Sequence, residues 1–277
     1  MSGVSSERWA DAQDAERGFW STAGFGLKKF RRAAAGSIQT AEWVLPHLTA
    51  PPGDWLEVGI GPLGVGCMHF LGCQGDLHTL DPIEPTPAEQ WQLPEPCRAL
   101  VRSCQESSVR HVGQAEHLEF ADDSFTFVAM ENMLDHVQDP GAVLSEARRV
   151  LVPGGLLYVA VDTFSALGEA RFKLVSRRKW RETTFVRAHP HRFSSSDVLR
   201  IVTDAGFRVS RSETPGGMLG NCAPTWAICV LNAEAMVAAV KFWQSVFPEI
   251  ETCVATSNPA ALYAAAWASV IGVPGKM

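Results

Sequence analysis

The chain has 277 residues, 46% of them hydrophobic and 19% charged, which is enough apolar material for a substantial core and excludes an intrinsically disordered chain. A net charge of −6 gives no global attraction to nucleic acid, and no apolar run is long enough to span a membrane. The seven cysteines include no CxxC pair, so neither a zinc ribbon nor a disulfide framework is expected; no metal site is expected, and the localisation expected is cytoplasmic.

Residues 5–24 carry Trp9, Ala12, Phe19 and Trp20 at spacings of three and four, which predicts an amphipathic helix. A second helix is expected over 36–48, ending before Pro51-Pro52-Gly53. DWLEVGI (54–60) predicts a buried strand, followed by a glycine-rich turn and a helix over 64–72. DLHTLDP (76–82) predicts a second strand ending in an acid, and the proline-rich IEPTPAEQWQLPEP a loop with at most one helical turn. SVRHVG (108–113) and SFTFVAMEN (124–132) predict two more strands, the second apolar enough to be covered on both faces. Asp139-Pro140 opens a helix over 140–151, stopped by Pro153-Gly154-Gly155, and GLLYVAVD (155–162) predicts a fifth strand. Residues 163–193 are basic and irregular; 194–207 predict a capped helix ending at Gly206. RVSRSETP and PTWAICVLN predict antiparallel edge strands, and 233–277 two apolar-rich helices. The alternation predicts an α/β fold: a Rossmann-like, doubly wound, mostly parallel sheet with an antiparallel edge, N-terminal helices and a C-terminal helical extension. The expected division is a helical cap over 1–50, a core over 51–232 with a basic insert at 163–193, and the extension over 233–277.

The glycine turn, EVGIGPLGVG (57–66), places backbone where a ligand could touch it. Glu57 at the end of the strand would repel a pyrophosphate and could attract a cation. Asp81 stands 20 residues after Gly61 at the end of the next strand, where a carboxylate can accept hydrogen bonds from ribose hydroxyls. Three phrases follow in order: GQAEHLEFADDSFT (113–126), HVQDP (136–140) and LVPGG (151–155). With the glycine turn and Asp81, these resemble the class I S-adenosylmethionine-dependent methyltransferases, over about residues 36–232, in the group acting on small molecules. The resemblance implies that Glu57, Gly59, Gly61 and Gly64 form the methionine-end pocket and that Asp81 holds the ribose. It implies that Ala115 and Glu116 sit by the adenine, and Glu131 and Asn132 near the methionine moiety and methyl group. The sequence departs from the family pattern at the displaced third glycine, at Glu119 where proline is usual, and at Thr126 where aspartate is usual.

Methyl transfer from a sulfonium is an in-line displacement, so alignment dominates and a base is needed only for an acceptor that loses a proton. His136, after the fourth strand, and His189 and His191, after the basic segment, are the candidate bases. Each could instead fix a loop. The basic residues from Arg171 to Arg192 form either a solvated face or a site for an anionic acceptor. Trp9, Phe19, Trp20 and Phe25 could roof the cofactor, and Trp91 could lie near the adenine. The expected activity is methylation of a small-molecule hydroxyl, on a natural product or sugar, with S-adenosylhomocysteine as product. A non-catalytic protein on the same scaffold and an NAD(P)-dependent oxidoreductase remain as alternatives. The expected partners are the acceptor and a second copy docking through the C-terminal helices, not nucleic acid.

Overall fold

The structure, a computed structural model, describes residues 3–48, 50–165 and 187–214, and the backbone of 223–228. Chain order is α1 (Ser6–Phe19), α2 (Leu27–Val44), β1 (Trp55–Val58), β2 (Leu77–Asp81), α3 (Glu95–Glu106), β3 (Val109–Val112), β4 (Phe125–Glu131), α4 (Pro140–Val150), β5 (Leu151–Thr163), α5 (Ser195–Asp204), β6 (Arg211–Glu213) and β7 (Ala223–Ile228). The strands form one sheet in the order β3-β2-β1-β4-β5-β7-β6. The first five are parallel, whereas β7 runs antiparallel to both β5 and β6. This is the Rossmann-like fold expected, including the antiparallel edge.

The central strand explains the two cores. Successive side chains of a strand point to opposite faces. Phe127 and Ala129 of β4 join Trp55, Leu77 and Tyr158 on one face, under α2 and α3. Val128 and Met130 join Leu56, Val58 and Val159 on the other, under α4 and α5. Because both faces are covered, β4 needs no polar alternation, and six of its seven residues are buried.

The helix starts follow from local chemistry. Asp139 caps α4, accepting from the backbone N–H of Gly141 and Ala142, with Pro140 in the first turn. Ser194 and Asp197 form a reciprocal capping box on α5, and Gly206 beyond its end adopts φ +88°.

Four expectations change. β5 begins at Leu151 rather than at residue 155, so Pro153-Gly154-Gly155 lies inside the strand instead of stopping α4, which ends at Val150. α2 begins at Leu27 rather than at residue 36, because its lysines and arginines are good helix formers and Gly36 is accommodated inside the helix. α3 was not anticipated, although Cys97, Leu100, Val101 and Cys104 mark one helical face. The helix expected over 64–72 shrinks to one 3-10 turn, Cys67–Phe70. Gly64 at φ +70° and Gly72 at φ +74° bracket that turn with backbone no α-helix can contain. The basic segment up to residue 186 and the helices expected over 233–277 lie outside the described residues.

Candidate functional site

At the C-terminal ends of β1, β2 and β4 a cavity of about 750 Å³ opens between the sheet and the first two helices. Ligands bind at this edge in open α/β sheets, where the strand order reverses. Of the residues singled out in the sequence, Glu57, Gly59, Gly61, Asp81, Ala115, Glu116, Glu131, Asn132, His136 and His189 line it. Gly64 and His191 do not.

The glycine turn is shaped first by the protein's own side chains. A Cβ on Gly59, at φ +82°, would lie 2.5 Å from Cβ of Met133; on Gly61, at φ +71°, it would lie 3.1 Å from the Trp20 ring. Gly64 faces Gln105, whose amide donates to the carbonyls of Leu63 (3.1 Å) and Thr86 (2.9 Å). A Cβ on Gly66 would run into the Glu57 carboxylate. Glu57 itself is 2% exposed and accepts from the N–H groups of Cys67 (2.9 Å) and Met68 (3.0 Å). It therefore caps the 3-10 turn that follows the glycines. The backbone donors that would cradle a pyrophosphate in a dinucleotide-binding turn are already taken, and by an acid that repels phosphate.

Burial, and then the nearby Glu131, raise the Glu57 carboxyl from an ordinary 4.5 to about 7. Burial raises Glu131 as well, although it accepts a 2.6 Å hydrogen bond from the Thr40 hydroxyl of α2. Cys67, fully buried, completes this group: its sulfur and one oxygen of each acid lie within 4.8 Å of one another. Two acids held together away from water disfavour a double negative charge, and a cationic ligand group relieves them.

Asp81 is 6% exposed and sits one strand over. It accepts from Gly61 N–H at 2.8 Å and from Ile83 N–H at 2.9 Å, one bond per oxygen. Each oxygen retains accepting capacity for ligand hydroxyls. Burial raises its carboxyl above the ordinary value, partly countered by those bonds and by Arg110.

Glu116 lines the cavity, but its carboxylate accepts from the N–H of Gln138 (2.6 Å) and Asp139 (3.2 Å), so it ties down the loop before α4. Arg149 of α4 braces the neighbouring loop by donating to the carbonyls of Leu118 (2.7 Å) and Phe120 (2.8 Å). Asn132 follows β4 at φ +51° and donates its N–H to the Ala160 carbonyl at 2.7 Å. Such a left-handed non-glycine residue is costly and is held here by the strand pair.

His136 and His189 both line the cavity, their ring centroids 4.3 Å apart. Nδ1 of His136 donates to the Ala188 carbonyl at 2.9 Å and lies 3.4 Å from Glu16 of α1. His191 is 8% exposed, with Nε2 shared between the carbonyls of Val137 (3.0 Å) and Gln138 (3.3 Å). It joins two loops rather than facing the cavity. Trp91 is likewise 1% exposed, packed on Phe25 with its N–H on the Thr86 carbonyl, and lies outside the cavity wall. The four N-terminal aromatics, Trp9, Phe19, Trp20 and Phe25, all line the cavity. Of the basic segment, Arg187 and Arg192 are described, and Arg187 pairs with Asp11 of α1 at 2.6 Å. Thr40 and Cys67 carry no motif and could not be anticipated as neighbours of the site; Asp135 was missed although it directly precedes His136.

A family model described as a methyltransferase domain matches residues 88–159. The uncharacterized protein YafE of Escherichia coli K12 is 32% identical over 148 residues, which is 53% of this chain and 68% of that protein. The chain belongs to the class I S-adenosylmethionine-dependent methyltransferases. Its cofactor is S-adenosylmethionine.

Solved structures share the fold of this methyltransferase. A Thermotoga maritima S-adenosylmethionine-dependent methyltransferase aligns at a TM-score of 0.50 with 21% identity, over 81% of this chain and 100% of that one. The geranyl diphosphate C-methyltransferase of Streptomyces coelicolor aligns at 0.51 with 15% identity, over 70% of this chain and 79% of that one. Among the described residues no helix is long and apolar enough to cross a membrane.

Proposed function

We propose that this methyltransferase transfers the sulfonium methyl to a hydroxyl of a small molecule, a natural product or a sugar. The observation that carries the reading is that a single cavity is lined both by Glu57, the glycine turn and Asp81 and by His136 and His189, with Glu16 of α1 beside His136. The methionine end of the cofactor would lie along Gly59 and Gly61, its cationic groups offsetting the Glu57–Glu131 pair. The ribose hydroxyls would bind Asp81. The adenine would lie beside Ala115 and Gln114, with Asn132 near the methyl group.

The acceptor would enter between α1 and the segment around His189. The His136–His189 pair is the group positioned to deal with its hydroxyl proton. This favours an oxygen acceptor over carbon or nitrogen, since a neutral amine has no proton to lose before attack. His191 drops out as a base because both its contacts are backbone carbonyls.

The test is calorimetric titration with S-adenosylhomocysteine, and with NADH, on the wild type and Asp81→Ala. Micromolar binding of the first ligand alone, weakened at least tenfold by the substitution (~1.4 kcal/mol), is expected. Absence of S-adenosylhomocysteine binding would overturn the cofactor placement. Subsequent panels of hydroxyl and amine acceptors, read by methyl incorporation, decide the acceptor class; turnover confined to amines would overturn the oxygen assignment.

A further inference from the structure

Behind the two cavity histidines lies Asp135, which the proposed chemistry does not use. It is 2% exposed, and among the described residues its Oδ1 has no hydrogen-bond partner. A buried carboxylate oxygen without a donor is expensive. What faces it is not a donor within reach: Nε2 of His136 is 3.7 Å from Oδ1, and Nε2 of His189 is 3.7 Å from Oδ2. Both distances exceed a hydrogen bond.

The tautomer of His136 sharpens the point. Its Nδ1 faces two acceptors, the Ala188 carbonyl and Glu16, so Nδ1 carries the proton. Nε2 is then the ring nitrogen that faces Asp135 Oδ1, at 3.7 Å. A ring nitrogen and a buried carboxylate oxygen that converge without a hydrogen bond leave room for a cation between them. The arrangement of a ring N–H held by a backbone carbonyl while the other nitrogen is left bare is that of a metal-binding histidine with its outer support in place.

We propose that Asp135, His136 and His189 bind one divalent first-row transition-metal ion at the wall of the cavity. Two nitrogens and a carboxylate oxygen suit zinc, cobalt or ferrous iron better than magnesium or calcium. Bonds of about 2.1 Å allow ligand atoms up to about 4.2 Å apart across one ion. Both 3.7 Å separations fit, one to each oxygen of Asp135; one ligand atom from each of the three residues lies within 4.8 Å of the other two, and a small turn of the two partly exposed rings closes the set on one oxygen. Because both rings line the cavity and Asp135 lies behind them, the open coordination position faces the acceptor space.

The consequence for catalysis rests on the hydroxyl-acceptor reading above. The acceptor oxygen would occupy the open position, and the ion would lower its pKa so that its proton leaves to solvent. The oxygen lone pair then forms the O–CH3 bond as the S–CH3 bond breaks, with its electron pair staying on sulfur. A methyl ether, neutral sulfide and one proton result. The histidines would serve as ligands instead of taking the proton themselves.

The test uses the metal alone. Chelator-stripped full-length protein is titrated with Co2+ and Zn2+, following the cobalt visible spectrum and calorimetry, on the wild type, Asp135→Asn and His189→Gln. One tight site per chain is expected in the wild type, with a low-coordinate cobalt spectrum free of thiolate absorption, weakened at least a hundredfold in each variant. No stoichiometric binding by the wild type overturns the proposal, whatever the variants do. So does a strong thiolate–cobalt band, which would put the ion at Cys67 between Glu57 and Glu131. S-adenosylhomocysteine titration of the same proteins separates the readings: cofactor binding without metal binding removes the metal and leaves the methyltransferase assignment standing.

Discussion

The glycine turn shows how a single atom of side chain governs a site. Gly66 has extended backbone, φ −128° and ψ 174°, that any residue can adopt, so the constraint there is steric: a Cβ would collide with the Glu57 carboxylate. Gly66→Ala should therefore destabilise the fold by roughly 1–3 kcal/mol. Chemical denaturation of Gly66→Ala in the wild-type and Glu57→Ala backgrounds checks this. The cost should largely vanish when the carboxylate is removed, and an equal cost in both backgrounds would refute the steric account. Glu57 also sets a proton count. With its carboxyl at about 7, it is half protonated near neutrality, and an incoming cationic cofactor favours the ionised form. Binding at pH 6.5 should release a proton, seen as a buffer-dependent calorimetric enthalpy that is lost in Glu57→Gln. The role of Glu57 was legible as an acid that rejects phosphate. That it spends both oxygens on Cys67 and Met68 was not, because the sequence does not reveal that the following helix is only a 3-10 turn.

At the scale of elements, the first two helices and the loop before α4 make the walls. α1 ends at Trp20, whose ring lies over Gly61 and stacks on Phe25 with centroids 5.0 Å apart. Trp20→Ala should weaken S-adenosylhomocysteine binding about tenfold (~1.4 kcal/mol), since a large apolar cover is lost. A titration showing unchanged affinity would make α1 a bystander to the cofactor. α4 starts at the residue its capping chemistry specifies, and Asp139→Ala should cost about 1 kcal/mol, read as a melting temperature roughly 2–4 °C lower. Elements with strong local signals were readable in this way: the Asp139-Pro140 start, the Ser194 cap and the apolar run of β4. Those without them were misjudged. α2 starts in a basic run, Lys28 to Arg32, that carries no helix-start signal, and the signal of α3 was hidden behind the prolines that precede it.

For the whole molecule, the buried acids should shape stability against pH. Glu57 titrates near 7 in the folded chain against about 4.5 when exposed, so the folded protein holds the extra proton between those values. Its contribution is complete below about pH 4.5 and is lost as pH rises through 7, on the order of 3 kcal/mol. Denaturation midpoints measured from pH 5 to 8 should fall for the wild type more than for Glu57→Gln, and parallel curves would refute the coupling. The sequence alone determined the order of the strands along the chain, the parallel sheet with its antiparallel edge, and the sheet edge at which the cavity opens, because periodicity, caps and glycines act over a few residues. Only the tertiary structure decided which polar groups meet. It joined Thr40 to Glu131 across 91 positions and the His136 ring to Ala188 across 52. It also turned Glu116 and His191 inward onto backbone, while leaving His189 on the cavity wall beside Asp135. Those meetings depend on how helices pack over a twisted sheet, a long-range consequence of burying two apolar faces that no local pattern encodes.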